Sequence, residues 1–327
     1  VTCYHAHEIN QIMPISVSTA TGLGTFFVNG GTVQNSGFEV GINLTPVRTG
    51  NFTWNMNINW SKNMQKVISL YNNQPTYVVA NYQNSVRLVA EPGKPYQLQG
   101  TRYTYNSNGQ RLIDDNGYPV LDPNVYSDLG TPNPDWIGGI NNSFKYKNLS
   151  LSFLVDMRHG GKVYSLDMDY GSFSGLYPRT AGKNNLGNPV RGFLSQGSGY
   201  LYEGVRASDG KPNTTLVDES GLYTGNWTFG SLSGAESHQE FVYDASFIKL
   251  REVSLTYSLP NKIFEKVSNF IKGVDVALTG RNLWIIHKNL PYSDPEQGQA
   301  SGNASMGFQN GAYPTVRVIG ALLKVKF

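Results

Sequence analysis

The stretch Asn51-Phe52-Thr53-Trp54-Asn55-Met56-Asn57-Ile58-Asn59-Trp60-Ser61 alternates without a break. Phe52, Trp54, Met56, Ile58 and Trp60 hold one parity; Thr53, Asn55, Asn57, Asn59 and Ser61 hold the other. Successive side chains of a strand point to opposite faces, so this is a strand with one apolar face and one polar but uncharged face. The same period of two runs through Asn148 to Arg158, with Leu154 as its exception, and through Ile319 to Phe327. Further candidates lie at Phe38–Leu44, Trp136–Tyr146, Val253–Leu259 and Val274–Trp284, separated by clusters of Gly, Asn, Asp and Pro. Between Phe247 and Leu259 the apolar parity switches near Arg251, as a bulge would make it do. One helix is predicted, over Asn261–Lys272 after Pro260.

Composition narrows the class. Charged residues are 15% of the 327, against about 25% in an average soluble domain, while aromatics reach 12%. A disordered chain would be poor in aromatics and rich in net charge, and no apolar run is long enough for a membrane helix. Thinly spread charge of +3 leaves no basic face, so no nucleic-acid partner is expected. Cys3 alone excludes a disulfide framework. Two architectures bury such strands: a soluble sandwich hiding its apolar faces between two sheets, and an outer-membrane barrel turning them to lipid around a polar lumen. The pattern favours the barrel, because the polar parity is Asn, Ser and Thr rather than Lys and Glu, because Trp54, Trp60, Trp136, Tyr257, Trp284 and Phe327 mark the apolar parity as lipid-facing or girdle residues, and because the loops are long.

The ordered series Asn35-Ser36-Gly37-Phe38-Glu39, Gly130-Thr131-Pro132-Asn133-Pro134-Asp135-Trp136-Ile137-Gly138-Gly139 and Arg158-His159-Gly160-Gly161 resembles the distal barrel of the SusC/RagA-type TonB-dependent transporters of Bacteroidetes. Asp244-Ala245-Ser246-Phe247-Ile248-Lys249-Leu250-Arg251-Glu252-Val253, Tyr257-Ser258-Leu259-Pro260, Gly280-Arg281-Asn282-Leu283, Asp294-Pro295-Glu296, Tyr313-Pro314 and the terminal Phe327 continue it. Each tetrapeptide is weak alone; their order and spacing cover nearly the whole chain. The resemblance implies an all-β antiparallel transmembrane barrel of 22 strands with an N-terminal plug. Residues 1–327 then form a single C-terminal region of about ten strands without the plug, with long extracellular loops near 64–135, 162–240 and 286–312. It also implies a multi-pass protein of a Gram-negative outer membrane that imports oligosaccharides or peptides, with a SusD-like surface lipoprotein as lid, TonB coupled through the missing N-terminal region, and membrane lipid around the wall. A secreted carbohydrate-binding sandwich and a non-transporting scaffold or adhesin of the same barrel fold are the alternatives.

No constellation in the residues calls for an enzyme or a cofactor. Asp167 and Asp169 would share a strand parity with Asp156 nearby, yet nothing supplies an orienting base. Cys3, His5 and His7 share one strand face, a spacing that suits a soft metal only with further ligands, and no metal is expected. Asn106–Gly109 and Asp114–Gly117 lack calcium-loop spacing and read as two turns flanking a short hairpin. Among Gly, Ser and Asn in the long loops, Tyr170, Phe173, Tyr177, Tyr200, Tyr202, Tyr223 and Trp227 suit stacking and hydrogen bonding with a substrate or partner, or else knit the loops together.

Overall fold

The computed structural model describes residues 1–327 apart from 17–19, 21, 23–24, 83–84, 219–235, 261–262, 264–269 and 297–305. Eight strands make the wall: β1 (Thr2–Ile9), β2 (Gly31–Arg48), β3 (Phe52–Leu70), β4 (Trp136–Tyr146), β5 (Leu149–His159), β6 (Phe247–Ser258), β7 (Gly273–Lys288) and β8 (Val318–Lys326). Each pairs antiparallel with the next along the chain, the up-and-down order of a barrel wall. Eight strands pair in this sheet among the described residues, where about ten are expected; β2 and β3 are the long ones, 18 and 19 residues, against about 9–11 for a spanning strand. The helix predicted over Asn261–Lys272 falls largely on residues outside those described.

Register turns the period of two into two surfaces. Asn55, Ser143, Ser152, Ser254 and Thr279 lie side by side on one face. The neighbouring outward row is Trp54, Phe144, Leu151, Leu255 and Leu278. Exposed Ile42, Leu151, Leu255, Leu278 and Trp284 show that the apolar face is uncovered, with no second sheet stacked on it among the described residues. That excludes the sandwich and leaves the lipid-facing barrel. Around Arg251 the register slips between Ile248 and Lys249 and again between Leu250 and Glu252, which accounts for the parity switch.

The wall has two unlike ends. At one, β2 and β3 are joined at Thr49–Asn51, and β4 and β5 by Lys147 and Asn148, with Lys147 at φ 52°. At the other, the described residues of segments 10–30, 71–135, 160–246 and 289–317 fold together into a dome. Its core joins Tyr82, Val86, Leu88, Leu98, Tyr164, Phe241, Leu290 and Phe308 to Val33, Val67 and Leu70 at the tops of β2 and β3. A four-stranded sheet (Tyr77–Tyr82, Val86–Ala90, Gln97–Gly100, Ser127–Gly130) and a three-stranded one (Lys162–Ser165, Val242–Asp244, Phe308–Gln309) frame it. Regular structure thus appears where the sequence reads as loop. Asp167 and Asp169 sit not on a strand but in the first turn of helix α1 (Leu166–Phe173), where carboxylates offset the helix dipole and Ser165 caps the start by accepting from the Met168 amide.

Candidate functional site

Three of the quoted motifs meet at the junction of wall and dome. Arg158 Nη2 donates to the Pro132 carbonyl at 2.6 Å, the Gly160 amide to Ser246 Oγ at 2.8 Å, and the Ala245 amide to the Gly161 carbonyl at 3.0 Å. Gly160 and Gly161 both have positive φ, 74° and 81°. A Cβ on Gly161 would press on Arg158 Nη2 and on the Pro132 and Asn133 carbonyls, so only glycine fits this turn. Burial raises the Asp244 carboxyl, but hydrogen bonds from Ser246 and Asn289 and the charge of Lys162 hold it below the usual carboxylate range.

A second junction is ionic. Lys249 Nζ lies 2.5 Å from Asp294 Oδ1 and 2.6 Å from Glu296 Oε2, with Lys249 and Asp294 almost wholly buried. Arg251 grips Glu296 at 2.5 and 2.9 Å, donates to Asn282 Oδ1 at 3.1 Å, and pairs with Asp156 of β5. Thr315 Oγ1 donates to Asp294 Oδ2 at 2.5 Å. Burial raises the Asp294 carboxyl, yet the bonds from Lys249 and Thr315 outweigh it, and the result is a lowered value; Glu296 is lowered likewise, against burial, by Arg251 and Lys249. Asp294, Glu296 and Thr315 thereby fasten the described residues of segment 289–317 to the wall. Its far side reaches α1, where Ser293 Oγ donates to Asp167 Oδ2 at 3.0 Å and Gln309 also donates to Asp167.

In the dome a cleft of about 780 Å³ is lined by Tyr105, Arg111, Arg179, Asn184, Tyr200 and Tyr202, among others. Arg111 stands 3.2 Å from Glu240 and 4.1 Å over the Tyr103 ring; Arg179 pairs with Glu236 and Glu240. The surface therefore offers compensated charge, amide groups and aromatic rings, a lining suited to polar chains.

The residues singled out from sequence separate into groups. Tyr200 and Tyr202 meet edge to face at 4.9 Å beside the cleft, but the body of Tyr202 is buried with Ile113 and Val217, so it also holds the loop. Tyr170 and Phe173 ride on α1; Tyr177 stacks on Tyr292 at 4.8 Å and donates to the Asp167 carbonyl. Tyr223 and Trp227 lie outside the described residues. Trp54, Trp60, Trp136, Tyr257 and Trp284 all take outward positions by register, and Phe327 is exposed. Cys3, His5 and His7 share the outward face of β1, with His5 and His7 nitrogens 2.9 Å apart. Asn106 and Asp114 accept from backbone amides two and four residues on, closing two turns. Sequence reasoning missed Lys249, Arg251, Asp294 and Glu296 as a unit. Their signal was available: four charges inside quoted motifs of a charge-poor chain.

Comparison with known proteins supports the geometry. No family model matches the chain. TonB-dependent receptor P26 of Formosa agariphila is 25% identical over 99% of the chain, and the TonB-dependent receptor SusC of Bacteroides thetaiotaomicron is 24% identical over 80% of it. The RagAB peptide transporter superposes over 99% of the chain with a TM-score of 0.69 at 17% identity. In sequence the chain is similar to TonB-dependent receptors including SusC, and in fold to RagAB. It spans 32% of the length of receptor P26, 24% of SusC and 32% of the matched RagAB chain. Within this segment the motifs around Pro132, Arg158–Gly161, Ala245–Arg251 and Asp294–Glu296 are joints between wall and dome, whereas Tyr257–Pro260 and Phe327 lie at the other end of the wall.

Proposed function

We propose that the intact protein is an outer-membrane TonB-dependent importer of oligosaccharides or peptides, working under a SusD-like lipoprotein lid, and that this segment supplies part of its wall and much of its outer dome. The observation that carries the reading is the pairing of an uncovered apolar face with a polar inward face. Only lipid outside and water inside satisfy both. The longest connections, 71–135 and 160–246, gather at one end, while those at the other, 49–51, 147–148 and 259–272, are shorter, which supports placing the dome outside the cell. No covalent chemistry is needed, and we read the protein as a transporter rather than an enzyme. The cleft rings Tyr200 and Tyr202 and the α1 group Tyr170, Phe173 and Tyr177 are the proposed contacts to cargo or lid. Relatives described as a peptide transporter support the peptide half of the cargo class.

The test is uptake by cells carrying the intact gene. Transport should depend on TonB and on the partner lipoprotein, and the protein should need detergent for extraction and show heat-dependent gel mobility. Uptake that continues when TonB is removed would sink the importer and leave a scaffold or adhesin.

A further inference from the structure

We propose that the outward face of β1 to β3, just beyond the aromatic belt at the dome end, binds phosphate groups of outer-leaflet lipid headgroups through Lys62 and Lys66. The inference rests on the membrane reading above and on the dome lying outside the cell.

Lys62 and Lys66 are exposed and hold the same parity of β3 as Trp54, Ile58 and Trp60. Register places Phe38 beside Lys62 and Gln34 beside Lys66, with Ser36 between them held by His5 at 2.7 Å. That face carries no carboxylate on β1, β2 or β3. Glu8 and Glu39 take the opposite parity, where Glu8 accepts from Asn35 and Glu39 pairs with Ser61. Neither lysine joins an ion pair among the described residues.

Height decides what they meet. Phe52 is level with Tyr146, and Lys62, next to Ser61 opposite Ile137, is level with Trp136. The ten residues between those levels span about 33 Å along the strand, which a tilt of about 40° turns into about 25 Å, the height of an apolar barrel band. Lys62 therefore stands at the belt, where aromatic rings mark the headgroup boundary. The backbone of Lys66 is about 10 Å higher by the same conversion, a few ångströms past the roughly 5–7 Å polar layer that a bilayer about 40–45 Å thick has on each side of a 30 Å core, and its flexible stem can reach back down to the headgroups. Exposed Met64 and Ile68 alternate with the lysines, so apolar contact and cationic charge interleave, as a phosphorylated lipid requires. Ammonium groups on flexible stems are phosphate binders that reach along such a surface.

The experiment uses the intact protein in detergent with diphosphoryl lipid A or its dephosphorylated form as probe, bound lipid being read by native mass spectrometry. Native protein should retain the phosphorylated form preferentially. Lys62→Gln with Lys66→Gln should lower that retention roughly tenfold, and the corresponding Arg pair should restore it. Lys145→Gln with Lys324→Gln, inward by register, should leave it unchanged. Equal retention by the Gln pair, indifference to phosphate, or an equal fall in the inward control would each overturn the proposal, provided heat-dependent gel mobility shows the barrel formed. Recovery of the intact protein in the soluble fraction would instead overturn the membrane reading, and this inference with it.

Discussion

Wall and dome are both built of strands, yet they are stabilised against different surroundings. In β3 to β5 the side chains remain largely half-buried or exposed, and the strands rely on backbone pairing plus whatever lies against each face. The dome instead has an interior: Val86, Leu88 and Leu98 are completely buried, as in a water-soluble domain. One chain thus carries two kinds of packing, one completed by lipid and one complete in itself. The difference teaches that several of the motifs, at Pro132, Arg158–Gly161, Ala245–Arg251 and Asp294–Glu296, mark neither region alone but the seam where they meet.

The seam is the first place to break the comparison. Lys249→Ala would leave Asp294 buried without its cation, a loss of about 3–5 kcal/mol for breaking a buried pair. Hydrogen exchange should rise across segment 289–317 while heat-dependent gel mobility of the wall persists; unchanged protection of that segment would remove the latch from the account. Next in size, Leu88→Ala should cost the dome about 2–5 kcal/mol through its cavity, whereas Leu278→Arg on the outward face should cost the wall about 2–4 kcal/mol in lipid. Thermal unfolding of the first in detergent and bilayer should agree, and that of the second should not. If both respond equally to the solvent, the two-surroundings distinction fails. Gly161→Ala, forced to positive φ against Arg158 and two carbonyls, should lose about 1–3 kcal/mol, seen as a lower melting temperature with wall mobility intact.

Smallest is the effect of acid. Asp294 and Glu296 are held below their ordinary values, so their contribution is complete above the usual carboxylate range near pH 4 and is lost as pH falls through the lower folded-state values. Exchange in segment 289–317 should therefore quicken only in that acidic window, and loosening at neutral pH would contradict the assignment.

The wall was legible because its rule is local: Trp54, Met56 and Ile58 announce a face by their spacing alone. The dome was not, since its contacts join distant segments. Tyr82 stacks on Phe308 at 4.1 Å, and Ser165 bonds Gln309, pairings that no window of sequence contains. Helix α1 escaped notice because Asp167 and Asp169 alternate with apolar residues over a span too short to separate a strand from a helix start. Of the site, the motif residues were quoted but not joined. Lys249 and Arg251 stand on a strand whose register slips, so parity could not say that both would reach the same two carboxylates.

β2 and β3 continue well past Trp60 and end inside the dome core at Val33, Val67 and Leu70. The consequence is mechanical. A lateral push on the dome is not absorbed in a flexible connection but travels down a stiff two-stranded lever, loading the backbone bonds between Gly31–Arg48 and Phe52–Leu70 in shear, which act together. Movement of the dome would then reach the wall as a change in tilt.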